Sequence, residues 1–391
     1  MRLLTSHLNG FIFFILLSLL SVSQSDAQTA VLIEDENFKV DAQAAIDSLY
    51  NQNQEGARLI LEPWVESHPD HPLWILWDGM ELWWTVLNDL HNTEYDEEFF
   101  NVMKKADYEA SKLLRRHRDH PDALIIRAIA NGYTARHYSN REEWLTAARI
   151  GLNAYQAYSR LMEVVPGLPD NTFAEGMKRY YAAYIPDNYP VVRTVSWFLP
   201  DGNREEGLKQ LEIASQYGVF ARPEATYFLG NIHLNYESNY EQALDYFHNL
   251  VNQYPKNTFY SRLYTRTLNH LKRYRDVIDF AEMTLEKSVN LAEKDRRILE
   301  EEIYYWLGIA EYQMGHFAEA LESFKKSYEK GKKLPNPEMR PLQAVAAYQA
   351  GRTSERMNNS EEAARYYQKV LEQNNSDEAK RMARQRLEAL N

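Results

Sequence analysis

Between Tyr304 and Tyr328 the chain reads YYWLGIAEYQMGHFAEALESFKKSY, and few folds accept that stretch. Leu307, Ala310 and Met314 recur at helical spacing before Gly315, and Ala320, Leu321 and Phe324 do so after it. Two amphipathic helices joined by so short a turn must fold back on each other as an antiparallel hairpin. The small residues stand where such helices approach most closely: Gly308 on the first, Gly315 at the turn and Ala320 on the second, with Phe324 to fill the gap. A hairpin of this kind cannot bury its apolar face alone, so further copies are expected along the chain.

They are found on both sides. Upstream, Gly230 and Tyr236 precede a turn, followed by Ala243, Phe247 and Pro255. A degenerate copy without glycine keeps Tyr264, Leu268, Tyr274, Val277 and Ala281. Downstream come Gly351, Ala363, Tyr367 and Val370; Gly308 to Gly351 and Ala320 to Ala363 are both 43 residues, so the two markers move together. This hairpin closely resembles a tetratricopeptide repeat, whose period is about 34 residues. The excess places a longer turn at Lys330 to Pro341. Asp377 to Leu390 reads as a last helix with a polar outer face, suited to capping a solenoid.

The first half is helical but less regular. Hairpins are expected at Phe38–Tyr50 with Glu55–Ser67, at Leu73–Leu90 with Glu97–Arg116, and at Asp122–Tyr138 with Arg141–Val164. Glu94 to Glu98 reads as a loop and a negative helix start. Between Gly167 and Gly218 the pattern is broken by Pro169, Pro186, Pro190 and Pro200, around an apolar run from Val191 to Leu199. Asn203 is placed to cap the next helix with Glu206 reaching back, and Gly207 inside that helix implies close packing. The block from Phe173 through Leu211 looks like the centre of the tetratricopeptide-repeat-39-like family and its bacterial relatives. That family prefers Asp where this chain has Asn203, has no common chemistry, and so informs fold alone. The expected architecture is an all-α, TPR-like solenoid of roughly eight hairpins with a C-terminal capping helix. Its expected divisions are a secretory signal over 1–27, a degenerate helical-repeat region over 28–220, and repeats with the cap over 221–391.

The export reading rests on Arg2, the apolar run from Phe11 to Val22 and the small-x-small pattern Ser25-Asp26-Ala27. The run is shorter than the ~20 residues of a membrane span, so cleavage after Ala27 is expected, with retention as an anchor the alternative. No cysteine follows it, which excludes a lipoprotein anchor, and zero cysteines overall exclude disulfides and thiol chemistry. A periplasmic or secreted location follows, with no stable membrane span after cleavage. The net charge of -12 opposes general nucleic-acid binding. The basic run Lys112 to Arg118 falls at a predicted helix end, where cations complement the dipole. In a eukaryotic host Asn358 and Asn374 would be glycosylation candidates.

No compact catalytic signature is present: H-E-x-x-H, G-x-x-x-x-G-K-[ST], G-x-S-x-G and G-x-G-x-x-G are all missing. The motif H-x-D-H-P occurs at His68 and again at His117, supplying four histidines and two aspartates. These are zinc-ligand types, but the same residues end one hairpin and start the next, with Pro blocking the helix and Asp capping it. Trp74, Trp77, Trp83 and Trp84 share one helix with Asp78 and Glu81, a set that either stacks a sugar or fills the space between helices. Tyr180, Tyr181 and Tyr184 pose the same choice. The resemblance implies a groove lined by the first helix of each hairpin, holding a protein or peptide segment. By helix phase its candidate residues are Tyr227, Asn231 and Asn235 in one hairpin and Tyr304 and Glu311 in a later one. No catalytic residue, metal or cofactor is assigned. The expected function is an exported, non-enzymatic scaffold or adaptor in a bacterial envelope complex. The alternative is a carbohydrate-active or glycan-binding α/α-toroid, which requires converging carboxylates beside the tryptophan helix. Docking on a membrane surface through Val191 to Leu199 is a third reading.

Overall fold

The computed structural model describes residues 30–188, 202–373 and 376–390. The signal-like N-terminus, the apolar run Val191 to Leu199 and Asn374 lie outside them. Among the described residues all regular structure is helical, with seventeen α-helices, enough for eight sequential pairs and one terminal helix. The chain divides by its contacts into two compact units.

Unit one comprises the residues up to Trp83 together with Asp96–Arg222. Its helices are α1 (Glu36–Tyr50), α2 (Gln54–Ser67), the first part of α3 (Leu73–Asn88), α4 (Asp96–Arg116), α5 (Pro121–Asn140), α6 (Trp144–Val164), α7 (Asn171–Asn188) and α8 (Arg204–Tyr217). The Asn203 side chain accepts the Glu206 N–H at 2.9 Å, as the sequence predicts. The reciprocal half of the capping box has a different outcome. The Asn203 N–H goes to the Arg179 carbonyl at 2.9 Å, and Glu206 accepts from Gln210 instead. Gly207 is explained by packing: a Cβ there would lie 2.6 Å from the backbone of Tyr180 on α7.

Unit two comprises Trp84–Tyr95 and Pro223–Asn391. Trp84–Tyr95 thus group with the repeats although they precede them by more than 120 residues in the chain. The helices are α9 (Arg222–Asn235), α10 (Tyr240–Gln253), α11 (Thr258–His270), α12 (Tyr274–Ser288), α13 (Glu293–Met314), α14 (Phe317–Gly331), α15 (Pro341–Arg356), α16 (Ser360–Glu372) and α17 (Asp377–Leu390). Three pairs close on the same device, a glycine on the first helix beneath an aromatic ring on the second. A Cβ at Gly230, Gly308 or Gly351 would meet Phe247, Phe324 or Tyr367 at 2.8, 2.8 and 2.6 Å. Gly308→Val is therefore expected to cost about 1–3 kcal/mol by overpacking. A urea midpoint for unit two unchanged by that substitution would refute the packing role.

The turns inside the hairpins share one backbone conformation. In six of them a residue with positive φ stands two positions before the second helix: Gln52, Glu142, Ser238, Lys272, Gly315 and Asn358. Only Gly315 is a glycine, at φ 84°. Asparagine often supplies the next contact, since Asn53, Asn239 and Asn359 each accept the backbone N–H three residues on. Degenerate and regular hairpins thus turn the same corner.

Candidate protein-binding groove in unit two

Residues 84–95 form a strap across the first helices of the repeats. The Trp84 ring meets Tyr260 and Phe259 edge-on, with centroids 5.8 and 6.5 Å away. One helical turn on, the Asn88 carbonyl accepts from Arg262 Nη2 at 2.7 Å, and its side-chain oxygen takes Thr258 Oγ1 at 3.1 Å. Asn88 Nδ2 donates to Asp295 at 3.2 Å. Asn336 donates to the His91 carbonyl at 2.9 Å, and Lys294 Nζ donates to the Tyr95 hydroxyl at 3.1 Å. These are contacts a peptide ligand makes: an aromatic anchor, backbone carbonyls read by side chains, and polar side chains held along its length.

The strongest grip is on Asp89. Both of its carboxylate oxygens accept from Arg340 Nη2, at 2.7 and 2.5 Å. Arg340 is 2% exposed, and its Nη1 also faces Glu301 Oε2 at 3.2 Å while Nε donates to the Pro335 carbonyl at 2.9 Å. Arg340 and Asn336 both stand in the long turn before α15, so the extra residues behind the 43-residue spacing supply the hold on the strap.

One guanidinium thus serves two buried carboxylates, with an electrostatic consequence. Glu301, 5% exposed, is pushed up to about 7 by burial, with Arg340 opposing and Glu302 and Asp89 adding to the rise. Its ordinary value is 4.5, so folded unit two holds a proton between roughly pH 4.5 and 7 that the unfolded chain releases. The stabilisation is complete below that window and is lost as pH climbs through it, by up to about 3 kcal/mol. Urea midpoints of unit two should fall across this range in the native chain, and Glu301→Gln should flatten the fall. An identical slope in the variant would refute the assignment.

Beyond the strap, side chains bridge successive first helices. Arg266 donates to Asn235 at 3.1 Å, Arg262 pairs with Glu302 at 3.4 Å, and Asn269 Nδ2 donates to the Trp306 carbonyl at 3.3 Å. Arg352 lies over the Tyr312 ring at 5.3 Å. Strap and bridges line an open pocket of about 310 Å³ whose walls include Leu87, Asn88, Arg262, Arg266, Glu302 and Arg340.

The five residues chosen by helix phase fall in different places. Asn231 and Asn235 are joined on α9, with Asn235 Nδ2 on Asn231 Oδ1 at 2.8 Å, and Arg266 ties Asn235 into the row of bridges. Tyr227 is only 8% exposed and packs against Phe259 and Tyr260. Tyr304 and Glu311 lie on the side of α13 that faces α14. Lys326 covers the Tyr304 ring at 5.1 Å, and Glu311, raised above its ordinary value by burial, has Ser323 as its hydrogen-bonding neighbour. The face towards α11 carries Glu302 and Trp306 instead, which phase alone does not distinguish.

Unit one absorbs the other candidates. His71 Nε2, in the first H-x-D-H-P turn, lies 3.1 Å from Oδ2 of Asp122, the residue that directly follows the second. Their purpose is structural: Asp122 also accepts the Leu32 and Ile33 N–H groups at 2.6 and 3.0 Å, and Asp119 pairs with Arg160. Among the described residues no three His, Asp or Glu side chains are grouped to hold a metal. Trp83 is buried against Phe99, Tyr133 and His137. Glu81 accepts from Trp77 at 2.9 Å, and Arg58 pairs with both Asp78 and Glu81, so these carboxylates are committed to neighbours. Tyr180 is fully buried and stacks on Tyr184. A residue missed in the sequence is Asp170, buried, whose carboxylate accepts the N–H groups of Val219, Phe220 and Ala221 at 3.0, 2.8 and 2.6 Å. Burial raises its pKa, and the three N–H groups oppose the rise.

The fold defines a helical-hairpin repeat protein of the all-α solenoid class. More particularly, residues 227–257 and 299–376 match family models of the tetratricopeptide repeat, so the chain carries these repeats in unit two. The matched residues do not include the block from Phe173 to Leu211. No curated protein matches the chain. Among solved structures, "MamA 41-end from Desulfovibrio magneticus RS-1" is 20% identical, with TM-score 0.33, over 49% of this chain and 92% of that one. "MamA RS-1 ArsTM double mutant" is 19% identical, with TM-score 0.35, over 49% and 93%. Superpositions at these scores carry no functional conclusion.

Proposed function

We propose that the chain is a non-catalytic scaffold that holds a segment of a partner protein along the first helices of unit two, and that it acts outside the cytoplasm in a bacterial envelope complex. The protein-binding role is supported by the tetratricopeptide repeats at 227–257 and 299–376. Its mode is suggested by one observation above the rest: these helices already hold a stretch of polypeptide, reading Asn88 by its carbonyl and Asp89 by its carboxylate. The extracytoplasmic location rests on the sequence features of Met1 to Ala27. Among the described residues no helix is long and apolar enough to cross a membrane.

The test is in-cell crosslinking and capture of the tagged full chain, compared with an Arg266→Ala, Asn235→Ala variant. Those side chains bridge α9 and α11 without being core, whereas truncating the packed Tyr227 would test the fold. A defined set of proteins captured by the native chain and lost from the variant is the expected result. Equal capture by both would reject this face as the binding site.

A further inference from the structure

We propose that residues 84–95 are a tethered competitor for the unit-two groove, displaced by an incoming acidic segment that offers its own carboxylate to Arg340 and its own carbonyl to Arg262. This rests on the groove reading above and adds its regulation and the chemistry of its ligand.

Three observations carry it. First, the strap makes ligand-like contacts with residues far away in sequence, such as Asn88 with Thr258, 170 positions on, and Asp89 with Arg340, 251 positions on. Second, an open pocket of about 310 Å³ lies beside it, lined by Leu87 to His91 together with residues of α11 and α13, where an incoming segment can begin to bind. Third, the latch contains a second acid beside Asp89. Arg340 lies between Asp89 of the strap and Glu301 of α13, and Glu301 Oε1 is buried with no hydrogen-bond partner. When Asp89 leaves, its unfavourable effect on the Glu301 charge leaves with it, and Glu301, already facing Arg340, ionises more readily against it, so opening does not strand a buried guanidinium. The arrangement has two satisfied states, as a displaceable segment requires.

The ligand's chemistry is read from what the strap provides. Arg340 takes an acid with both oxygens, and Arg262 takes a main-chain carbonyl at the end of a helical turn. An acidic peptide with an aromatic residue about one turn before its Asp fits that set.

Hydrogen exchange on the native full chain tests the opening without any substitution. Amides of 84–95 are expected to exchange at least 100-fold faster than those at the centre of α13, through local opening. Protection equal to that of α13 would overturn the proposal. The competition is tested with a labelled peptide of sequence WTVLNDLHNTEY, residues 84–95 of the chain itself. Binding to Asp89→Ala should be at least tenfold tighter than to the native chain, and a peptide with Asn for its Asp should lose that gain. Equal affinity for both proteins, or no binding to either, would overturn the proposal. Should Asp89→Ala lose its helical circular dichroism, Asn88→Ala, which releases Thr258 and Asp295, replaces it. Partner capture that depends on Arg266 while the strap stays closed would leave the groove reading standing and remove only the competitor.

Discussion

Replacing Arg340 with Leu is expected to destabilise unit two by about 3–5 kcal/mol, the cost of leaving buried carboxylates without their cation. Arg340 is 2% exposed, Asp89 is 4% exposed, and Glu301 faces the same guanidinium. The double variant Arg340→Leu, Asp89→Leu should recover the share due to Asp89, because an apolar pair of similar volume needs no counter-charge, and leave only Glu301 without its cation. Thermal or urea unfolding resolved for unit two reads both outcomes. A single-variant loss below about 1 kcal/mol, the value of an exposed ion pair, would show that the latch is not a buried one.

In unit one the largest expected effect is at Asp170. Its carboxylate accepts three consecutive N–H groups at the turn joining α8 to α9, and Asp170→Ala leaves all three without that acceptor. The donors are part-buried, and at roughly 0.5–1.5 kcal/mol for each hydrogen bond lost a destabilisation of about 1.5–4 kcal/mol is expected. Asp170→Asn keeps one acceptor oxygen and should lose less. Hydrogen exchange at Val219, Phe220 and Ala221 would report the same event locally, and unchanged protection there in the Ala variant would contradict it.

Much of the architecture was legible because the repeat writes it locally. Gly308 and Phe324 are 16 residues apart, and the close approach of their helices can be read from that spacing alone. The corner at Gly315 was legible for the same reason, while Gln52, Glu142 and Lys272 adopt the same left-handed conformation without a glycine to announce it. The strap was not legible. Asp89 and Arg340 are 251 residues apart, and the local pattern around Asp89 is simply a helix running into an acidic loop. The long turn before α15 was visible as extra length, but its role depends on a partner that no periodicity links to it. Helix phase failed to sort α13 because that helix is enclosed on more than one side. Ile298, Glu301 and Tyr305 are buried along with Leu307, Gly308 and Glu311, so the α14-facing and α11-facing sides look alike in sequence. Asp122 and Asp170 each follow a proline, but so do the exposed Asp70 and Asp187, and the Pro-Asp pair alone does not reveal burial.

The central claim, that the first helices of unit two form a protein-binding face, is tested most directly by photo-crosslinking from single positions in the full-length chain in its native cells. A benzophenone side chain at Arg266, on the cavity wall, should yield discrete crosslinked partners, and one at exposed Glu322 on α14 should yield none of them. The same partners from both positions, or from Glu322 alone, would contradict the account.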